Sequence, residues 1–193
     1  MQIQAQAQIG FEQYCYVKNS QMTTLVPIFN YESNSHWYAE ARYNYEEVNT
    51  FSLYAGKTFS NDGKFDFSIT PMLGGVVGKF KGISSGVNAV VEFKDVFFST
   101  QSQYTISFHE SNADFLFSWS ELGYQPWKWF FLGVTAQQTY IAEANSLESE
   151  PGVFIGFSAG MWTFPLYVFK PMTISNYFVL GINLSMDGFN RNR

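Results

Sequence analysis

With 193 residues, 20% of them aromatic and only 14% charged, the chain is too aromatic and too weakly charged for a disordered segment or a solvated helical bundle. Hydrophobic residues reach 46% but are dispersed, and no stretch approaches the roughly 20 consecutive apolar residues of a membrane-spanning helix. A net charge of -5 without any run of Lys and Arg excludes nucleic acid as a partner, because phosphates need a basic surface.

The length suits one domain, residues 1–193, holding a sizeable core or a single mid-sized barrel. Cys15 is the one cysteine, which rules out an intramolecular disulfide and a cysteine-based zinc site. With His36 and His109 as the only histidines, no metal site and no cofactor is expected. Near the start, Ala5-Gln6-Ala7 looks like the small-residue end of an export signal. The expectation is that most of that signal lies upstream and is removed from a protein bound for the cell outer membrane.

Turn-forming clusters punctuate the chain at Lys18-Asn19-Ser20, Ser33-Asn34-Ser35, Asn61-Asp62-Gly63, Lys81-Gly82, Ser111-Asn112, Gly123 to Pro126 and Ser149 to Gly152. Between them residues alternate. The signal is weak over Met22 to Tyr31, where Pro27 intervenes. It is strong in Trp37 to Glu46, where Trp37, Ala39, Ala41, Tyr43 and Tyr45 oppose Tyr38, Glu40, Arg42, Asn44 and Glu46. It fades again over Phe65 to Phe80, where Pro71 and Gly74-Gly75 suggest bends or bulges. Val96, Phe98, Tyr104, Ile106 and Phe108 then share one parity against Ser99, Gln101, Gln103, Thr105 and Ser107. Near the end Phe178, Leu180, Ile182, Leu184 and Met186 oppose Tyr177, Val179, Gly181, Asn183 and Ser185. No segment has a convincing helical period.

About twelve strands fit this pattern, with ten or fourteen left open by uncertain boundaries. Many run near or beyond the roughly 9–11 residues that cross a bilayer at a tilt, whereas soluble strands centre on about 5–6. Tyr14, Tyr16, Trp37, Tyr38, Trp127, Trp129 and Trp162 fall near proposed strand ends, where an interfacial aromatic girdle would sit. The expected fold is therefore an all-β, antiparallel, up-and-down transmembrane β-barrel in contact with outer-membrane lipid. A soluble barrel acting as a binding module is the alternative, with the apolar parity turned inward.

On the membrane reading, Phe115, Phe117 and Trp119 of one strand and Phe178, Leu180 and Ile182 of another face lipid. Glu12, Glu40, Arg42, Glu46, Glu92 and Asp114 take the polar parity and point into the lumen. Acidic groups there could line a narrow cation-selective pore. A lumen packed shut by paired charges, Tyr and Gln is preferred, because a modest strand number leaves little room. With both termini periplasmic, the connections near 18–21, 47–49, 80–82, 109–113, 142–150 and 170–175 face the exterior. Ala142 to Pro151, carrying Glu143, Glu148 and Glu150, is the longest and most acidic of them and reads as a solvated loop.

At Trp37 to Thr58, WYAEARYNYEEVNTFSLYAGKT, and at Trp119 to Gln125, WSELGYQ, the chain resembles small uncharacterised outer-membrane β-barrel proteins of Bacteroidetes, and its end in YFVLGINLSM continues the likeness. The resemblance implies a porin-like barrel and a Gram-negative outer membrane, and no catalytic residue. The tail Asp187 to Arg193 departs from barrels that stop at a terminal aromatic. The function expected is a structural or accessory membrane component, with a narrow pore left open and protein partners unidentified.

One enzymatic alternative comes from His109-Glu110-Ser111-Asn112, which resembles the His-x-Ser-Asn pattern of outer-membrane lipid A deacylases. His109 and Ser111 would share a strand face as base and nucleophile. Glu121 is too far to complete a triad, since ten residues of strand span roughly 30 Å. Asp114, Glu110 or Glu143 would have to serve instead. Alternation also turns His109 toward the lumen, away from the lipid such an enzyme attacks.

Overall fold

The computed structural model describes residues 7–18, 21–61, 63, 65–109 and 114–186. Ala5 and Gln6 of the Ala5-Gln6-Ala7 segment, and Asp187 to Arg193, lie outside these residues.

Alternating side chains with β-branched and aromatic enrichment give thirteen strands among the described residues. They are β1 (Gln8–Lys18), β2 (Gln21–Glu32), β3 (Trp37–Tyr43), β4 (Thr50–Lys57), β5 (Phe59–Asn61) and β6 (Asp66–Gly78). There follow β7 (Gly82–Phe93), β8 (Val96–Ser107), β9 (Phe115–Trp127), β10 (Phe130–Ile141), β11 (Ser146–Ala159), β12 (Trp162–Phe169) and β13 (Tyr177–Met186). Each pairs antiparallel with its neighbour, β4 pairs with β6, and β1 pairs with β13 from Ile9↔Met186 to Lys18↔Tyr177. The sheet thus closes as an up-and-down barrel of twelve strands, with β5 an extra strand on β6. Closure leaves no long edge, so the backbone groups of the ladder are satisfied within it as a bilayer requires.

Pro27 and Pro71 do not interrupt β2 and β6: each lies where one neighbouring ladder is absent, β2 meeting β3 only from Ile28 and β6 passing between β5 and β4, while the pairing with β1 or β7 runs on unbroken. Residues 146–150, expected in a loop, belong to β11: the hairpin with β10 continues to Ile141↔Ser146, and 142–145 make the turn. Cross-strand pairing over this stretch outweighs its polar composition.

The outer face is apolar. Leu25, Leu53, Leu73, Leu122, Val134 and Ile155 are exposed, as are Phe178, Leu180 and Ile182 of β13. That placement overturns the soluble alternative, in which this parity would be enclosed. Trp37, Trp127, Trp129 and Trp162 crowd the end that carries the termini, Trp127 stacking on Trp129 at 5.7 Å. Tyr43, Tyr104 and Tyr140 are strand-end residues at the other end. Polar groups on the outer face satisfy each other. Ser102 and Ser118 lie 2.8 Å apart and Thr100 and Ser120 2.9 Å apart, bridging β8 and β9.

The alternation predicts the cost of a charge outside. Leu180→Arg is expected to destabilise the folded barrel by about 2–4 kcal/mol if it lies near the bilayer midplane, measured by urea unfolding in lipid vesicles. An unchanged midpoint would mean that this face does not meet hydrocarbon.

Candidate functional site

The inward parity of these strands meets in a packed lumen. In the half nearer the 44–49 and 108–114 connections, Arg42 of β3 is only 2% exposed. Its Nε donates to Glu40, its Nη1 donates to Gln103 Oε1 at 2.5 Å, and Glu46 lies 3.9 Å away. The guanidinium also sits over the Tyr45 and Tyr54 rings at 4.2 and 4.6 Å. Glu46 is held in turn by the hydroxyls of Ser52 and Tyr54, each donating at 2.9 Å. Tyr38 donates to Glu40 at 2.5 Å and Tyr45 to Gln101 at 3.0 Å. Gln103 lies on β8, separated from β3 by β4, β6 and β7, so these bonds run through the lumen and not along its wall.

An aromatic layer lies beside this cluster. Trp119 of β9 packs against Tyr14 of β1 and Tyr167 of β12, both at 5.1 Å between ring centroids, and donates its indole N–H to Thr135 at 2.9 Å. Phe154, Phe169 and Tyr177 extend the layer, and Gln137 Nε2 donates across to Tyr16 Oη at 3.1 Å. At the rim Tyr177 donates to Glu150 at 2.5 Å, and Glu150 also pairs with Lys170. The hydrogen bond from Lys170 to Glu150 raises the pKa of the Lys170 ammonium above its ordinary value.

On the other side of the aromatic layer, toward the end with the termini, the lumen widens into a cavity of about 400 Å³. Tyr14, Trp119 and Tyr167 form its floor, Glu12, Asn88, Gln101, Glu121 and Asn183 line its walls, and Glu92 and Gln125 stand toward the mouth. Two of the wall rings lie flat because glycine lets them. Phe97 rests on Gly123 and Phe131 on Gly156, where a Cβ would collide with the ring.

The structure brings Glu40, Arg42 and Glu46 together in one bonded cluster and sets Glu12 and Glu92 on the cavity wall. Asp114 is not lumenal. It accepts from the Ser107 N–H at 2.8 Å and from Tyr104, an outward-facing residue, at 3.4 Å, while its own N–H donates to Glu143 at 3.0 Å. It caps the β8–β9 connection at the rim, where an unpaired backbone N–H needs an acceptor.

Phe115, Phe117 and Trp119 also need correction: they face the lumen and not lipid. Trp119 is 5% exposed, Phe117 packs on Tyr45 at 5.6 Å and Phe115 on the buried Phe80 at 5.5 Å. Residues paired across strands share a face, and Gln103↔Phe117 and Gln101↔Trp119 put the aromatic parity beside the polar parity of β8. Leu116 and Leu122 take the lipid side instead. Glu121 shares the parity of Trp119, and a mid-strand carboxylate cannot face hydrocarbon, so this reversal had a signal in the sequence. Tyr14, Tyr16 and Tyr38 likewise leave the expected girdle and join the lumen, each held there by a polar partner for its hydroxyl.

His109 is exposed, and its backbone N–H and carbonyl bond the Ser107 hydroxyl at 3.1 and 3.0 Å. Ser111 lies outside the described residues.

Neither a protein-family profile nor a curated protein matches the sequence. Among solved structures the chain is similar to a KdgM porin in complex with disordered oligogalacturonate, at a TM-score of 0.60 and 10% identity over 93% of this chain and 99% of that one. A second KdgM porin structure gives a TM-score of 0.59 with the same identity and coverage. At that identity the likeness is one of fold, and the fold is that of an outer-membrane β-barrel, spanned by strands with no helix long and apolar enough to cross among the described residues.

Proposed function

We propose that this protein is an integral outer-membrane β-barrel that acts as a structural or accessory component of the membrane, its lumen closed in the middle and open as a vestibule toward the periplasm. The bonds and ring contacts that join Arg42 to Gln103 and Trp119 to Tyr14 across the barrel carry this reading. The orientation follows from the connections. Two-residue turns at 94–95, 128–129 and 160–161 lie at the end with the termini, beside the 33–36 turn and the 58–65 segment that carries β5. The 44–49, 108–114 and 170–176 connections lie at the other beside the shorter 79–81 and 142–145 ones, a balance that favours short periplasmic turns and longer external loops.

A conduit for uronate chains is disfavoured by charge. An oligogalacturonate, a polyanion, would meet Glu12, Glu92 and Glu121 in the vestibule and find no cationic side chain lining it among the described residues.

Single-channel recording tests the closure. The purified barrel, inserted into planar bilayers, is expected to give no steady open-channel current. A stable conductance step of porin size in the parent protein would replace this reading with that of an open pore.

A further inference from the structure

We propose that the vestibule binds a small primary-ammonium compound. The proposal deepens the closed-lumen reading, because the aromatic layer that closes the barrel is also the floor of the site. The cavity, at about 400 Å³, lies within the range of small-molecule sites and is far larger than a single inorganic ion needs.

Its chemistry is an excess of acceptors. Glu12 takes the Tyr14 hydroxyl at 2.8 Å, Glu121 takes the Tyr167 hydroxyl and lies 3.5 Å from that of Ser99, and neither carboxylate enters an ion pair among the described residues. No Lys, Arg or His lines the cavity among those residues. Asn88 and Asn183 are also among the lining residues, although their side-chain carbonyl oxygens are enclosed by protein and do not open onto the cavity. A carboxylate in a low-dielectric lumen needs a positive charge or a proton.

An alkylammonium supplies that charge together with three N–H donors for the carboxylate oxygens. The floor suits it as well. Tyr14, Trp119 and Tyr167 present clustered rings, with centroids 5.1–6.4 Å apart, beside the carboxylates, and ring faces attract a cation that has shed part of its water. A neutral polyol would bring donors without charge, and a bare metal ion would bring charge without filling the space.

Calorimetric titration of the folded barrel in detergent micelles with putrescine, 1,4-butanediol and potassium chloride tests the proposal. Putrescine is expected to bind saturably and the isosteric diol not to bind. Glu121→Gln, an isosteric change that keeps a folded, heat-modifiable band on gels, is expected to weaken the diamine about tenfold or more. Should that variant not fold, Glu12→Gln is read in its place, and the diol comparison on the parent protein decides by itself. Equal binding of the diol, displacement of the diamine by potassium at matching concentration, or no saturable heat would overturn the proposal. A barrel that conducts in bilayers removes the closed-lumen reading, whereas a non-conducting barrel that ignores putrescine removes this inference alone.

Discussion

Arg42→Met is expected to destabilise the barrel by about 3–5 kcal/mol, because it strands two carboxylates and a glutamine in a place that water does not reach. Glu40 is 2% exposed and Arg42 equally so, and Glu46 completes the cluster with both of its hydroxyl donors coming from β4. The change should be repaired in large part by adding Glu40→Gln, since a neutral amide keeps the hydrogen bond from Tyr38 without leaving a second charge unpaired. Urea unfolding of the single and double variants in lipid vesicles, followed by tryptophan fluorescence and by the mobility shift of the folded form on gels, measures both terms. If the single variant unfolds at the parental urea concentration, the cluster is not a structural element of the lumen and the charges are solvated.

The second large effect is expected at Trp119. Trp119→Ala removes the ring that meets Tyr14 and Tyr167 at 5.1 Å and Phe169 at 6.0 Å, and should cost about 3–5 kcal/mol in lost contacts and cavity. It should do something that a core truncation in a soluble protein would not. Removing the centre of the aromatic layer joins the vestibule toward the Arg42 side, so bilayer recordings of the variant should show flickering cation currents where the parent shows none. Trp119→Phe keeps a ring and loses the indole donor to Thr135, so it should remain silent with a smaller loss of stability. Parental silence in Trp119→Ala, with the protein folded and inserted, would mean that the Arg42 cluster alone closes the lumen.

Much of this architecture is legible in the chain. Alternation in Trp37 to Tyr43, Val96 to Ser107 and Tyr177 to Met186 determines strands, and the length of the last two determines that they cross a bilayer, because a period of two over such spans leaves one face for lipid and one for the lumen. Polar spacing in Glu40, Arg42 and Glu46 likewise determines that charges meet inside, since none could face hydrocarbon. What alternation by itself leaves open is the parity of strands whose two faces are both mixed, where a single residue such as Glu121 is the only signal in the strand. In β9 the aromatic set Phe115, Phe117 and Trp119 looks more lipophilic than Leu116, Ser118 and Ser120, yet it points inward. Register with β8 and the space at the barrel centre decided that, because a twelve-stranded lumen must be filled by large side chains, and outward hydroxyls can satisfy one another across β8 and β9. The vestibule belongs to the tertiary structure for the same reason. Glu12, Asn88, Glu121 and Asn183 sit on four strands far apart in sequence, and only closure of β13 onto β1 brings them around one space.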